Sequence, residues 1–125
     1  MTITEKLKTI YNALDDKKAI DIKIIDIKDI SVLADYLVIA GGSNKSQVQA
    51  MVDSVEEELA NDKVYTNHVE GYSSANWILL DYSDIIVHVF NQEDRLFYDL
   101  ERLWQDGNVV DVDLSLIHIS EPTRH

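Results

Sequence analysis

The chain has 125 residues, of which 46% are hydrophobic and 27% charged, with four glycines and one proline. That is the composition of a single globular domain with one core, and it excludes collagen-like, low-complexity and mainly disordered classes. Eleven Lys and Arg against 23 Asp and Glu leave a formal charge of −12, a field that repels phosphate backbones and removes the main energetic term of sequence-independent nucleic-acid binding. The absence of cysteine removes disulfides, thiolate catalysis and cysteine-rich zinc sites together. No stretch reaches the roughly 18 apolar residues of a membrane span, and residues 1–12 lack a basic-then-apolar signal pattern. The expected location is therefore the cytoplasm, with no membrane partner, and the expected partners are basic.

Thr2 and Glu5 stand at capping-box spacing, and Ile3, Leu7, Ile10, Tyr11 and Leu14 recur on one face of a helix. After a charged turn at residues 15–18, Ile20, Ile22 and Ile24 alternate with Asp21 and Lys23, which predicts a strand. A second strand is expected over Tyr36–Ala40, broken by Gly41 and Gly42, with Ser43 as the N-cap of a helix whose apolar stripe is Val48, Met51, Val52, Val55 and Leu59. The outer face of that helix is acidic, at Asp53 and residues 56–58, and is most simply solvated. Residues 61–75 read as loop with a short strand near His68 and Val69. Trp77–Tyr82 and Asp84–Phe90 form a hairpin around Tyr82, Ser83 and Asp84. Leu96, Phe97, Leu100, Leu103 and Trp104 then predict a third helix ending before Gly107. Residues 114–125 hold the sole proline, Pro122, and extend no periodic pattern. They read as a tail of vector or cloning origin, so the domain is drawn over 1–113 and no metal is inferred from His118 or His125. The fold class is α+β: one domain, a mixed sheet with helices packed on it.

Four runs carry a resemblance. They are Asp35–Ser43 (DYLVIAGGS), Glu70-Gly71, Trp77–Phe90 (WILLDYSDIIVHVF) and Arg95–Trp104 (RLFYDLERLW). In this order and spacing the chain resembles the ribosomal silencing factor family, also called RsfS or Iojap, over about Ile3 to Val112. The resemblance implies a topology related to the nucleotidyltransferases but without their catalytic site. It implies a non-enzymatic translational repressor that needs no cofactor. Such a protein binds the large ribosomal subunit through its L-fourteen protein and sterically blocks joining of the small subunit. The alternative within the same family is assistance to large-subunit assembly, and the resemblance also allows a homodimer when the protein is free.

Within the hairpin, Trp77, Leu79 and Asp81 share one face of the first strand, and Ile78, Leu80 and Tyr82 the other; both faces are apolar. By pattern alone Trp77 divides between core and interface. The resemblance, and its place just after a polar loop, favour an interface anchor, with Leu79, Tyr82 and Tyr98 as the next partner-binding residues. His88 reads as a hydrogen-bonded sheet residue, Asp81 and Asp84 as turn-makers, Arg95 and Glu101 as surface residues and Trp104 as core. His68 and Glu70 are two ligands without further partners and make no metal site.

The rival class is a metal-dependent nucleotidyltransferase, with Gly41-Gly42-Ser43 as a phosphate turn and Asp81 with Asp84 as a magnesium pair. The spacing argues against it. Carboxylates on one strand face the same way at i and i+2, whereas these are three apart across a turn, and Lys45 is the lone basic residue near the glycines.

Overall fold

A computed structural model describes residues 2–28 and 34–92, together with the strand residues 108–109. The first helix, α1 (Ile3–Asp16), opens with a complete capping box: the Thr2 side chain accepts from the Glu5 backbone N–H at 3.1 Å and the Glu5 carboxylate accepts from the Thr2 N–H at 3.0 Å. Two of the four orphan amide donors at the helix start are satisfied in this way, and the hydrogen bonds to Thr2 hold the exposed Glu5 carboxyl below its usual range. Leu7, Ile10, Ala13 and Leu14 form its buried stripe. The turn after it passes through Lys18 in the left-handed region (φ 62°) into β1 (Ile20–Asp26).

The sheet has the order β3-β4-β5-β2-β1-β6, where β2 is Tyr36–Gly42, β3 His68–Glu70, β4 Trp77–Asp81, β5 Ile85–Asn91 and β6 Asn108–Val109. All neighbours are antiparallel except the central pair β2 and β5, which run parallel from Tyr36 opposite Ile85 to Gly42 opposite Asn91. The mixed sheet is the one expected. A parallel pair needs a crossover, and here it runs through α2 (Lys45–Asn61), β3 and β4 before the hairpin returns β5 to the centre.

Helices α1 and α2 pack on one face of this sheet. Val48, Met51, Val52, Val55 and Leu59 of α2, all fully buried, join the α1 stripe and Ile24, Val38, Ala40, Ile78, Leu80, Ile85, Val87 and Val89 in the main core. Residues on the opposite face form a second cluster of Ile25, Ile27, Ala34, Ile39 and Phe90, against which Leu37, Trp77 and Ile86 are packed while only partly buried.

The strand-to-helix passage differs from expectation. Gly41 and Gly42 do not break the strand but complete it, paired with Phe90 and Asn91, and neither adopts positive φ. The reason for glycine at 42 is proximity. A Cβ there would lie 2.8 Å from Val48 Cγ2, so the bare backbone lets the first turn of α2 close onto the end of β2. The N-cap is Asn44, one residue later than Ser43, with its side chain accepting from the Gln47 N–H at 2.8 Å. Ser43 instead donates its N–H to the Gln47 side chain at 2.6 Å, and the Gln47 amide reaches the carbonyls of Lys17 and Lys18 at 3.0 and 3.1 Å, tying the end of α1 to the start of α2. The expected third helix, with Tyr98 and Trp104, and the tail 114–125 lie outside the described residues.

Candidate functional site

The β4–β5 hairpin is built around the turn the sequence predicts. The Tyr82 N–H donates to the Ile85 carbonyl at 2.9 Å, Ser83 takes a left-handed conformation (φ 72°), and the Asp81 carboxylate accepts from the Ser83 N–H at 2.8 Å. Asp81 is thus the turn-maker it was expected to be. Asp84 is held differently: its carboxylate pairs with Lys6 of α1 at 2.9 Å, which pins the hairpin turn to the helix layer.

Placing the turn sets the register, with Trp77 opposite Phe90, Leu79 opposite His88 and Asp81 opposite Ile86. Continuing across β5, His88 stands beside Ile39 and Ile86 beside Leu37. Since side chains alternate, these residues share the sheet face that α1 and α2 leave uncovered. Along β4, burial alternates accordingly: Ile78 and Leu80 are buried, Trp77 and Leu79 only partly so. Trp77 and Leu79 are therefore brought together on the face opposite α1 and α2, partly buried, with Leu37 and Ile86 in the same layer.

Tyr82 does not join them. It is 5% exposed and belongs to the helix-side core. Burial, with the nearby Glu56 carboxylate second, pushes its hydroxyl far above the usual phenol range, and among the described residues that hydroxyl has no hydrogen-bond partner. Leaving the strand for the turn, Tyr82 keeps the parity of Ile78 and Leu80, which is why it points inward. Tyr98 lies outside the described residues.

Trp77 is oriented by neighbours on β5. Its indole Nε1–H donates to His88 Nδ1 at 2.9 Å. Its ring stacks on Phe90 with centroids 5.3 Å apart and planes at 22°, inside the range where aromatic pairs contribute beyond simple burial. His88 is 8% exposed, and burial depresses its imidazole to about 4, so it is neutral at pH 7 and its Nδ1 accepts. The sheet role read for His88 is what the structure gives it. Its link to Trp77 was not read, although the turn assignment places the two diagonally across the hairpin.

Gly71, which the sequence marks only as part of a family-like run, has a structural role of its own. It sits at φ +79°, and a Cβ there would come 2.1 Å from the Trp77 carbonyl oxygen, so only glycine lets the loop after β3 lie against β4. Beside it opens a cleft of about 270 Å³ lined by Glu70, Gly71, Trp77 and Leu79. Glu70 on its wall is exposed and pairs with the exposed His68 of β3 at 2.9 Å.

The residues proposed for nucleotidyl transfer are not assembled. Gly41 and Gly42 are paired strand, Asp81 caps its own turn and Asp84 pairs with Lys6. Among the described residues no group of three His, Asp or Glu is placed to hold a metal ion, and no helix is long and apolar enough to cross a membrane.

Comparison with known proteins agrees with the fold. The family described as "Ribosomal silencing factor during starvation" matches residues 1–125. The chain is 37% identical over 110 residues to ribosomal silencing factor RsfS of Bacillus subtilis, covering 88% of this chain and 93% of that one. It is 40% identical over 109 residues to the RsfS of Zymomonas mobilis, covering 87% and 82%. The chloroplastic protein Iojap of Arabidopsis thaliana is 32% identical over 108 residues, 86% of this chain and 44% of that longer one. Among solved structures, a Chromobacterium violaceum protein superposes with a TM-score of 0.79 at 35% identity, covering 84% of this chain and 88% of that chain. One from Bacillus halodurans gives 0.78 at 36%, covering 86% and 97%. With the whole sequence matched, and the same layered sheet recurring at that identity, this chain belongs to the ribosomal silencing factor family.

Proposed function

We propose that this protein represses translation in the cytoplasm by binding the large ribosomal subunit through its L-fourteen protein and obstructing the small subunit. The observation that carries the reading is the apolar pair Trp77 and Leu79, only partly buried on the sheet face opposite α1 and α2 and flanked by a cleft. A large aromatic presented on a rigid strand, ringed by polar groups, is the usual form of an interface anchor. The charge of −12 steers the molecule towards a cationic ribosomal protein while the surrounding RNA phosphates repel it, confining contact to protein surface. Obstruction needs no chemistry, which suits a hairpin whose carboxylates are engaged in turn and ion-pair geometry.

The test is co-sedimentation of the purified protein with isolated large subunits, followed by a subunit-joining assay. The protein is expected to sediment with large subunits and to slow joining in proportion to occupancy. Trp77→Ala is expected to weaken that binding by at least about 2 kcal/mol, as hot-spot truncations do, in protein that circular dichroism shows to remain folded. Wild-type protein that neither sediments nor slows joining would overturn the reading.

A further inference from the structure

We infer that His88 is a positioning residue for this contact: it holds the Trp77 indole in its docking orientation and takes up the ring's N–H, so that the partner meets Trp77 as an apolar surface. The inference rests on the ribosome-binding reading and adds to it a division of labour between two side chains.

Three features of the structure support it. First, the donor–acceptor geometry leaves one assignment. An indole nitrogen only donates, so the 2.9 Å contact makes Nδ1 of His88 the acceptor, which places the imidazole proton on Nε2. Burial keeps His88 neutral down to about pH 4, so the acceptor persists throughout the physiological range. Second, the acceptor is fixed. His88 lies on β5, which is paired on both sides, to β4 at Leu79 and to β2 at Ile39. Third, the Trp77 ring is restrained in two directions, in its plane by the bond to His88 and across its face by Phe90 at 5.3 Å. A side chain ordered before binding loses less freedom on binding. An indole whose N–H is already bonded inside the protein also carries no unpaired donor into an apolar contact.

The experiment combines the indole 1H–15N signal of the free protein with co-sedimentation on isolated large subunits. Trp77→Phe identifies the signal by its disappearance, separating it from that of Trp104. His88→Leu keeps bulk and removes the acceptor, whereas His88→Asn places an amide oxygen near the position of Nδ1. His88→Leu is expected to move the Trp77 signal and speed its exchange with solvent, and to weaken subunit binding about five- to tenfold, the scale of one newly mobile side chain. His88→Asn is expected to restore binding to within about threefold of wild type, and Trp77→Phe to stay within about threefold while Trp77→Ala loses about thirtyfold.

An unchanged indole signal and affinity in His88→Leu would overturn the inference. So would a Trp77→Phe loss as large as that of Trp77→Ala, since it would show the N–H serving the partner; this arm stands even if His88→Leu does not fold. Wild-type protein that fails to bind large subunits overturns the ribosome reading and the docking role with it, while the indole signal decides separately whether His88 holds the ring.

Discussion

Ile78 and Leu80 alternate with Trp77 and Leu79 along one five-residue strand, yet the two pairs meet different surroundings. The first pair is fully buried beneath α1 and α2, while the second lies half-buried on the face those helices leave uncovered. The chemistry of the residues hardly differs. What differs is the layer behind them, so the same hydrophobic effect that buries one pair completely leaves the other only partly covered. Polarity is divided in the same way. The helix side turns acidic groups outward, with Asp16, Asp53, Glu57 and Glu58 lining a groove between α1 and α2 beside Lys17, whereas on the opposite face Ile25, Ile39 and Phe90 are buried and Trp77 and Leu79 partly so.

Paired truncations test that contrast most directly. Leu80→Ala is expected to cost about 3 kcal/mol in denaturant unfolding, from lost burial plus the cavity left behind. Leu79→Ala, one residue away, is expected to cost under about 1 kcal/mol and to act on large-subunit binding instead. Equal destabilisation by the two would show that the faces are not functionally distinct.

Acidification sharpens the comparison from the side of His88. Its folded value of about 4 lies below the ordinary 6.5, so between those values unfolding takes up a proton. The corresponding stability is therefore complete above pH 6.5 and is lost as pH falls towards 4. The loss amounts to at most about 3 kcal/mol. It is measured as the difference in unfolding free energy between wild type and His88→Asn across that window, because the carboxylates titrating there are common to both. A pH-independent difference would refute the assignment.

Gly71→Ala probes the loop that supports the patch. The added Cβ meets the Trp77 carbonyl and must occupy φ +79°, so a loss of about 2 kcal/mol is expected. Hydrogen exchange should show the opening concentrated in β3 and β4; a uniform loss of protection would contradict a local role. The smallest effect is expected at the far end of the helix layer. Thr2→Ala removes the cap of α1 and should cost about 1 kcal/mol, with subunit binding unchanged. Weakened binding there would mean that the helix side also contacts the partner.

Much of this architecture is legible locally. The capping box of α1, the apolar stripe of α2, the short strand at His68 and the hairpin around Ser83 follow from spacing and turn chemistry, because each depends on interactions within a few residues. The boundary at Gly41–Ser43 was not legible in that way. Two glycines before a polar residue signal a break, but the cause of Gly42 is Val48 approaching from α2, a contact visible only once strand and helix are packed. Tyr82 shows the same limit. Its kinship in type with Trp77 suggests a binding residue, and its parity with Leu80 places it in the core.

Sequence alone thus determined the order and kind of the elements from α1 to β5, though not the strand β6, together with the acidic charge, the alternation of β4 and the family, since periodicity, capping and composition act over short range or over the whole chain. Tertiary structure decided which face of the sheet the helices cover, that His88 accepts from Trp77, and that Gly71 must be bare beside the Trp77 carbonyl. Those depend on groups distant along the chain meeting at contact distance, and that geometry exists only after the sheet has paired and the helices have packed against it.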